Sequence, residues 1–223
     1  PVSFCASGRR GYVRNLTAGE IVGQVAAAGG KVSNVVFMGM GEPLDNPDEV
    51  FRALRMLNSP AGRNIGARHM TVSTCGIVPG IRRMQELDMQ VRLSVSLHAA
   101  DDGLRSRLVP VNRIYPLADL LAACREYVEK TGRRITLEYV LLRGINDSRM
   151  DAGRLARIAT DLDALVNLIP FSPVSGIDFS RPDGECVRRF SEELERAGAH
   201  VAIRRSRGCE IRAACGQLTG GME

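Results

Sequence analysis

Val91-Arg92-Leu93-Ser94-Val95-Ser96-Leu97-His98-Ala99 is the stretch on which the fold turns. Val91, Leu93, Val95 and Leu97 alternate with Arg92, Ser94, Ser96 and His98. That period of two is the mark of a β-strand with one apolar and one polar face. A strand covered by helices on both sides in a parallel sheet is apolar on both faces, so the polar face needs a reason. The same feature recurs along the chain. Thr136 and Glu138 share one face of a strand over 135–142, Thr71 and Ser73 share one face of a strand over 70–73, and Asn167 stands between Val166 and Leu168. The polarity grows toward the C-terminal ends of these strands. A barrel, or partial barrel, whose lumen holds a polar ligand at its C-terminal mouth accounts for all four together. Hydroxyls bonded to neighbouring backbone are the alternative, and they explain one serine more easily than four strands.

The surrounding elements fit that architecture. Thr17-Ala18-Gly19-Glu20 is a capping box, followed by Ile21, Val22 and Val25 at helical spacing. Val35-Val36-Phe37-Met38 reads as a short strand ending in Gly39-Met40-Gly41-Glu42-Pro43. Asn46 is placed to cap a helix with Pro47 at its first position and Val50, Phe51, Leu54 and Leu57 facing inward. Further helices are expected from Pro79, from Pro116 with Gly132 as its stop, over 149–164, and over 183–197 with Gly198 at its end. Strands at 166–169 and 201–203 complete the series. Strands alternating with helices mean a parallel α/β sheet or barrel.

Composition sets the outer bounds. At 223 residues, with 44% hydrophobic and 25% charged residues, the chain is one soluble globular domain or the greater part of a larger one. No apolar run approaches the roughly 20 residues of a membrane span, and no signal peptide is seen. The cysteines at 5, 75, 124, 186, 209 and 215 lack the spacing of a disulfide scaffold and read as cytosolic thiols. Cys75, Cys124 and Cys186 are expected to be packing residues, and Cys209 a surface thiol. A net charge of +5, with Arg far outnumbering Lys, permits a phosphate-bearing partner without requiring one.

Several strand-end groups have the chemistry of a ligand site. Gly39-Met40-Gly41-Glu42-Pro43 lets backbone amides approach a ligand beside a carboxylate able to receive an ammonium group. Ser73, Ser96, Leu97, His98 and Asn167 add neutral donors and acceptors suited to a carboxylate, ribose hydroxyls and an adenine edge. S-adenosylmethionine has those groups, and a sugar phosphate would use similar ones. Near the C-terminus, Ala213-Ala214-Cys215-Gly216 keeps bulk away from a thiol, which judged by itself reads first as a buried structural cysteine, the commoner fate of a lone one.

Seven ordered motifs carry a family resemblance. They are Ser3-Phe4-Cys5-Ala6-Ser7-Gly8, Arg14-Asn15-Leu16, Val36-Phe37-Met38-Gly39-Met40-Gly41-Glu42-Pro43, Val72-Ser73-Thr74-Cys75-Gly76-Ile77-Val78-Pro79, Ser94-Val95-Ser96-Leu97-His98-Ala99, Asn167-Leu168-Ile169-Pro170-Phe171 and Ala213-Ala214-Cys215-Gly216-Gln217-Leu218. Together they resemble the radical S-adenosylmethionine RNA methyltransferases along essentially the whole chain. The resemblance implies a partial (β/α) barrel lacking its first strand, occupying residues 1–223, with a carrier-cysteine loop over about 204–223. It implies a [4Fe-4S] cluster, with Cys5 as the third cysteine of its motif. It assigns S-adenosylmethionine contacts to Gly41, Glu42, Ser73, Ser96, Leu97, His98 and Asn167, and it makes Cys215 the methyl-carrying cysteine. The activity implied is methylation of carbon 2 of an adenine in 23S ribosomal RNA, with transfer RNA as a second candidate substrate. That carbon is not nucleophilic, which is why a radical route and a carrier thiol are needed.

The resemblance further implies a cytoplasmic, monomeric protein served by a flavodoxin-type electron donor, with no membrane partner. The family's first two cluster cysteines, a resolving cysteine and an acid-base glutamate would precede Pro1, so the chain reads as the C-terminal portion of its parent and as inactive by itself. Two other readings stay open: a carbon-8 methyltransferase of the same family, and a non-catalytic remnant that binds RNA or cofactor. Arg9, Arg10, Arg14, Arg204, Arg205, Arg207 and Arg212 flank the expected mouth and are candidates for RNA phosphates or for a solvated face.

Overall fold

A computed structural model describes residues 2–173 and 176–204. Seven α-helices and six strands alternate within them: α1 (Ala18–Ala27), β1 (Val35–Phe37), α2 (Pro47–Asn58), β2 (Met70–Thr74), α3 (Val78–Met84), β3 (Arg92–Ser96), α4 (Asp102–Leu108), α5 (Leu117–Thr131), β4 (Thr136–Leu141), α6 (Arg149–Asp161), β5 (Leu165–Pro170), α7 (Gly184–Arg196) and β6 (His200–Ile203). All six strands pair in parallel, each beside its predecessor in the order β1 to β6. Sequential parallel neighbours joined through helices are the plan of a (β/α) barrel. The sheet also curls. Arg204, just past β6, brings Nη1 to 3.9 Å from Sδ of Met38, just past β1, so the two edges approach each other at the C-terminal end.

The local signals in the sequence act as physical chemistry requires. Thr17 and Glu20 form the reciprocal capping box of α1. Gly132 ends α5 in the left-handed conformation, its N–H donating to Val128 O. Asp183 caps α7, whose Val187, Phe190 and Leu194 face the core at helical spacing. Several expectations need correction. Asn46 occupies the cap position of α2, yet its side chain does not cap and donates instead to Leu16 O at 2.8 Å, tying the entry to α1. Pro116 is the residue before α5 rather than its first, and α6 ends at Asp161 rather than 164. Helix α4, capped by the Asp101 carboxylate, falls in a stretch where no helix was expected.

Register decides which residue faces which way. The ladder pairs Ser73 with Ser94, Ser94 with Thr136, Ser96 with Glu138, and Glu138 with Asn167, so all of these share one face. The other face carries Val72, Leu93, Val95, Leu137, Tyr139, Leu141, Val166 and Leu168, all buried in one cluster with the inward residues of α2, α3, α5, α6 and α7. Each such side chain contributes about 1.5–3 kcal/mol by leaving water. The fold is therefore a curled sheet with a dry, helix-covered outside and a polar inside.

Candidate active site

A second, smaller apolar cluster closes the C-terminal end of the polar face. Val140 and Ile169, the next inward residues above Glu138 and Asn167, meet Phe4, Ala6, Leu108, Phe171 and Ile177 there. Phe4 packs edge-on against His98 with ring centroids 5.0 Å apart, and against Phe171 and Phe179 at 6.4 and 6.2 Å. Ser3 N–H donates to Leu108 O at 2.9 Å, and Gly8 N–H closes a turn on Cys5 O. These contacts hold the half-buried Cys5 at the mouth, beside the polar face.

Glu42 reaches the mouth from the loop after β1. Its two carboxylate oxygens accept from Leu44 N at 3.0 Å and Cys75 N at 2.7 Å, binding the end of β1 to the end of β2. Burial raises its pKa, and those backbone donors oppose the rise. Gly41 before it has φ of 95°, a conformation that a Cβ would strain. Ser73 and Ser96 stand on the inward face, Ser73 buried and Ser96 half-buried.

The turn after β3 is held from both sides. Leu97 N and His98 N both donate to Glu138 O, at 3.0 and 3.3 Å. His98 has φ of 56° and accepts Val140 N–H at Nδ1, which fixes the ring as the Nε2–H tautomer. Burial, and then the nearby Arg105 cation, push its pKa down to about 3, so the imidazole is neutral. The Leu97 side chain is fully buried among helix-side residues, so Leu97 can offer a ligand only its backbone.

Sequence reasoning gave no role to two buried residues that organise the site. Arg105 on α4 is fully buried and donates to Cys75 O at 2.7 Å, Leu97 O at 3.2 Å, Ser96 O at 3.3 Å and Asn112 Oδ1 at 2.7 Å. One guanidinium thus collects the carbonyls at the ends of β2 and β3. Desolvation lowers its pKa to about 10, leaving it charged at neutral pH. Gly76 makes room for it: a Cβ there would lie 3.1 Å from Arg105 Nη2. The second is Glu138, 4% exposed, which accepts from Ser94 Oγ at 2.8 Å and from Asn167 Nδ2 at 3.1 and 3.2 Å. Parity had placed Glu138 on the polar face without giving it work. Arg105 gave no signal beyond an arginine in a helix.

Cys75 and Cys124 behave as packing groups. Burial raises the Cys124 thiol to about 12. Cys75 is also raised to about 12, by burial first and by Glu42 second. Neither is a nucleophile at neutral pH. Cys209, Cys215, Arg205, Arg207 and Arg212 lie outside the described residues. A separate hollow of about 610 Å³ opens at the opposite end of the sheet, lined by Arg68, His69, Asp88, Gln90 and Arg133 among others, and none of the residues just described reaches it. Barrel chemistry belongs to the C-terminal mouth, where the buried polar groups converge, so the site is placed there.

Comparison with known proteins shows the family. Residues 3–156 match the model of the Radical SAM superfamily, and the chain belongs to that family. A probable dual-specificity RNA methyltransferase RlmN of Symbiobacterium thermophilum is 52% identical over 223 residues, covering 97% of this chain and 60% of that protein. The protein of the same name in Moorella thermoacetica is 49% identical, with 97% and 64% covered. The crystal structure of a radical SAM methyltransferase from Sphaerobacter thermophilus superposes with a TM-score of 0.94 at 50% identity, covering 98% of this chain and 67% of that one. The chain therefore spans about 60% of the length of the curated relatives it matches.

Membership implies S-adenosylmethionine and a [4Fe-4S] cluster as cofactors. The polar face suits the first, since Glu42, Ser73, Ser96 and Asn167 bring carboxylate, hydroxyl and amide groups to one mouth. The second is not matched by a full donor set. Among the described residues no three cysteine, histidine or acidic side chains could hold a metal, and Cys5 is the one residue of the cluster motif that the chain contains.

Proposed function

We propose that the chain is the cofactor-binding part of a radical S-adenosylmethionine methyltransferase that modifies carbon 2 of an adenine in ribosomal RNA and also acts on transfer RNA. The observation that carries this reading is the row of inward polar groups on β2 to β5, at the same mouth to which the Phe4 contacts bring Cys5. The relatives' names supply the RNA substrate and its dual character.

When bound, the cofactors supply the methyl group and the radical chemistry that a non-nucleophilic carbon demands. The chain's residues do the holding. Gly41 and Glu42 receive an ammonium group, Ser73 and Ser96 serve the carboxylate and ribose hydroxyls, and the 97–98 backbone and Asn167 border the adenosine. Cys5 furnishes one thiolate ligand. Phe4, Phe171 and Phe179 keep water from the mouth, which strengthens every polar contact inside it.

Cys215 carries the methyl group to RNA as a thioether, and Arg204, Arg205 and Arg207 meet phosphates. The protein works in the cytoplasm as a monomer with a flavodoxin-type electron donor. Among the described residues no helix is long and apolar enough to cross a membrane.

The test uses the full-length, cluster-loaded protein. Mass spectrometry should find one added methyl on the peptide containing Cys215 and none on a peptide containing only Cys209. Cys215→Ala should abolish RNA methylation while S-adenosylmethionine still binds. Methyl on Cys209, or an alanine variant that still modifies RNA, would overturn the carrier assignment.

A further inference from the structure

Among the described residues Glu138 is the one buried acid on the inward face of the sheet, and it touches both halves of the candidate site. Its carbonyl oxygen holds the amides of Leu97 and His98, at 3.0 and 3.3 Å. Its carboxylate takes the Ser94 hydroxyl at 2.8 Å and the Asn167 amide nitrogen at 3.1 and 3.2 Å. Strand register explains the meeting, because β4 lies between β3 and β5 and pairs Glu138 with Ser96 on one side and Asn167 on the other.

No cation pairs with this carboxylate among the described residues; the described salt bridges all lie elsewhere. Burying an acid on neutral donors alone is costly, and a glutamine would fill the same space. An acid at this point does something that an amide would not.

The two ends of an asparagine amide are told apart only by their partners. Here both Glu138 oxygens face donors, Oε1 taking Ser94 Oγ and Asn167 Nδ2 and Oε2 taking Asn167 Nδ2, so the carboxyl group meets the amide as an acceptor. It therefore draws the NH₂ end of Asn167 toward itself and turns Oδ1 away. A glutamine in its place would pair with either end of the amide and leave the orientation undecided.

We propose that Glu138 is a positioning residue that fixes the Asn167 amide so that it presents an acceptor, Oδ1, to the bound nucleoside. Ligand groups meeting Asn167 must then be donors, such as a ribose hydroxyl or the exocyclic amine of adenine. A ligand carboxylate is turned away. The inference rests on the S-adenosylmethionine reading above and adds to it a polarity for one contact.

The experiment is a charge-exchange cycle read by affinity. S-adenosylmethionine is titrated anaerobically into full-length wild type, Glu138→Gln, Asn167→Asp and the double variant, with melting temperature recorded for each. Asn167→Asp sets two carboxylates face to face, and should weaken binding by roughly tenfold or more. Glu138→Gln should weaken it by about three- to tenfold with little change in melting temperature.

In the double variant the amide introduced at position 138 can donate to the carboxylate introduced at position 167. The second oxygen of that carboxylate then faces the lumen as an acceptor. Affinity should recover to near that of Glu138→Gln alone. A merely structural Glu138 would instead lower melting temperature in step with affinity, and the double variant would be no better than Asn167→Asp. Either of those results overturns the inference, as does an unchanged affinity in Glu138→Gln. A wild type that fails to bind S-adenosylmethionine at all would sink the cofactor reading, and this inference with it.

Discussion

The two faces of one sheet are built from the same strands and obey different rules. Outward, Val95 and Leu137 are neighbours in register and fully buried beneath the helices. One residue further along each strand, Ser96 and Glu138 are also neighbours and face inward. On the outer face a side chain contributes by volume and by leaving water. On the inner face polar groups hold one another: Glu138 is held by Ser94 and Asn167, the 97–98 turn by the Glu138 carbonyl, and the strand ends by Arg105. The lesson is that stability and ligand recognition are separated by a single step of the β period, and mutations one residue apart should report on different properties.

The sharpest contrast is the Leu137→Ala and Ser96→Ala pair. The first removes a fully buried side chain from the helix-covered face and should cost about 2–5 kcal/mol in urea unfolding, with S-adenosylmethionine affinity nearly unchanged. The second should cost less than about 1 kcal/mol of stability and weaken binding by roughly fivefold, the worth of one hydrogen bond. If the leucine variant lost affinity while the serine variant lost only stability, the division between the faces would be wrong.

A smaller effect sharpens the boundary between them, where His98 sits at the mouth. Its imidazole is neutral when folded, with a pKa of about 3 against an ordinary value of 6.5. The unfolded chain therefore binds the proton first as pH falls. Stability from this group is whole above about pH 6.5 and declines as pH drops toward 3, by about 2 kcal/mol at pH 5. Asparagine tolerates the positive φ and can accept Val140 N–H, so His98→Asn should flatten this slope between pH 6.5 and about 5. An equal slope in both proteins, followed by denaturant melts, would mean that the imidazole is solvated or already charged.

Much of this was legible in the sequence because period and capping are local. Alternation in 91–98 gave the strand and its polar face, and the Thr17 and Gly132 signals marked helix ends that the structure also shows. What escaped depends on contacts between distant segments. Asn46 could be seen as a cap but not as a donor to Leu16, 30 positions away. Helix α4 is a seven-residue helix with an apolar pattern too brief to register, and it was this helix that carried Arg105 to carbonyls from two strands. Glu138 was placed on the right face by parity, yet its pairing with Asn167 needed the register of β4 against β5. Leu97 was grouped with the cofactor contacts by motif, and burial limits it to its backbone.

Amide hydrogen exchange with and without S-adenosylmethionine tests the central claim, that the ligand binds at the C-terminal mouth of the polar face, most directly. Added to the full-length protein, the ligand should slow exchange in peptides spanning 38–44, 74–77 and 97–100, where the loops leave β1, β2 and β3. Peptides covering 66–69 and 88–90, at the hollow on the opposite end, should exchange as before. Protection confined to that opposite end, with the mouth loops unchanged, would contradict the account.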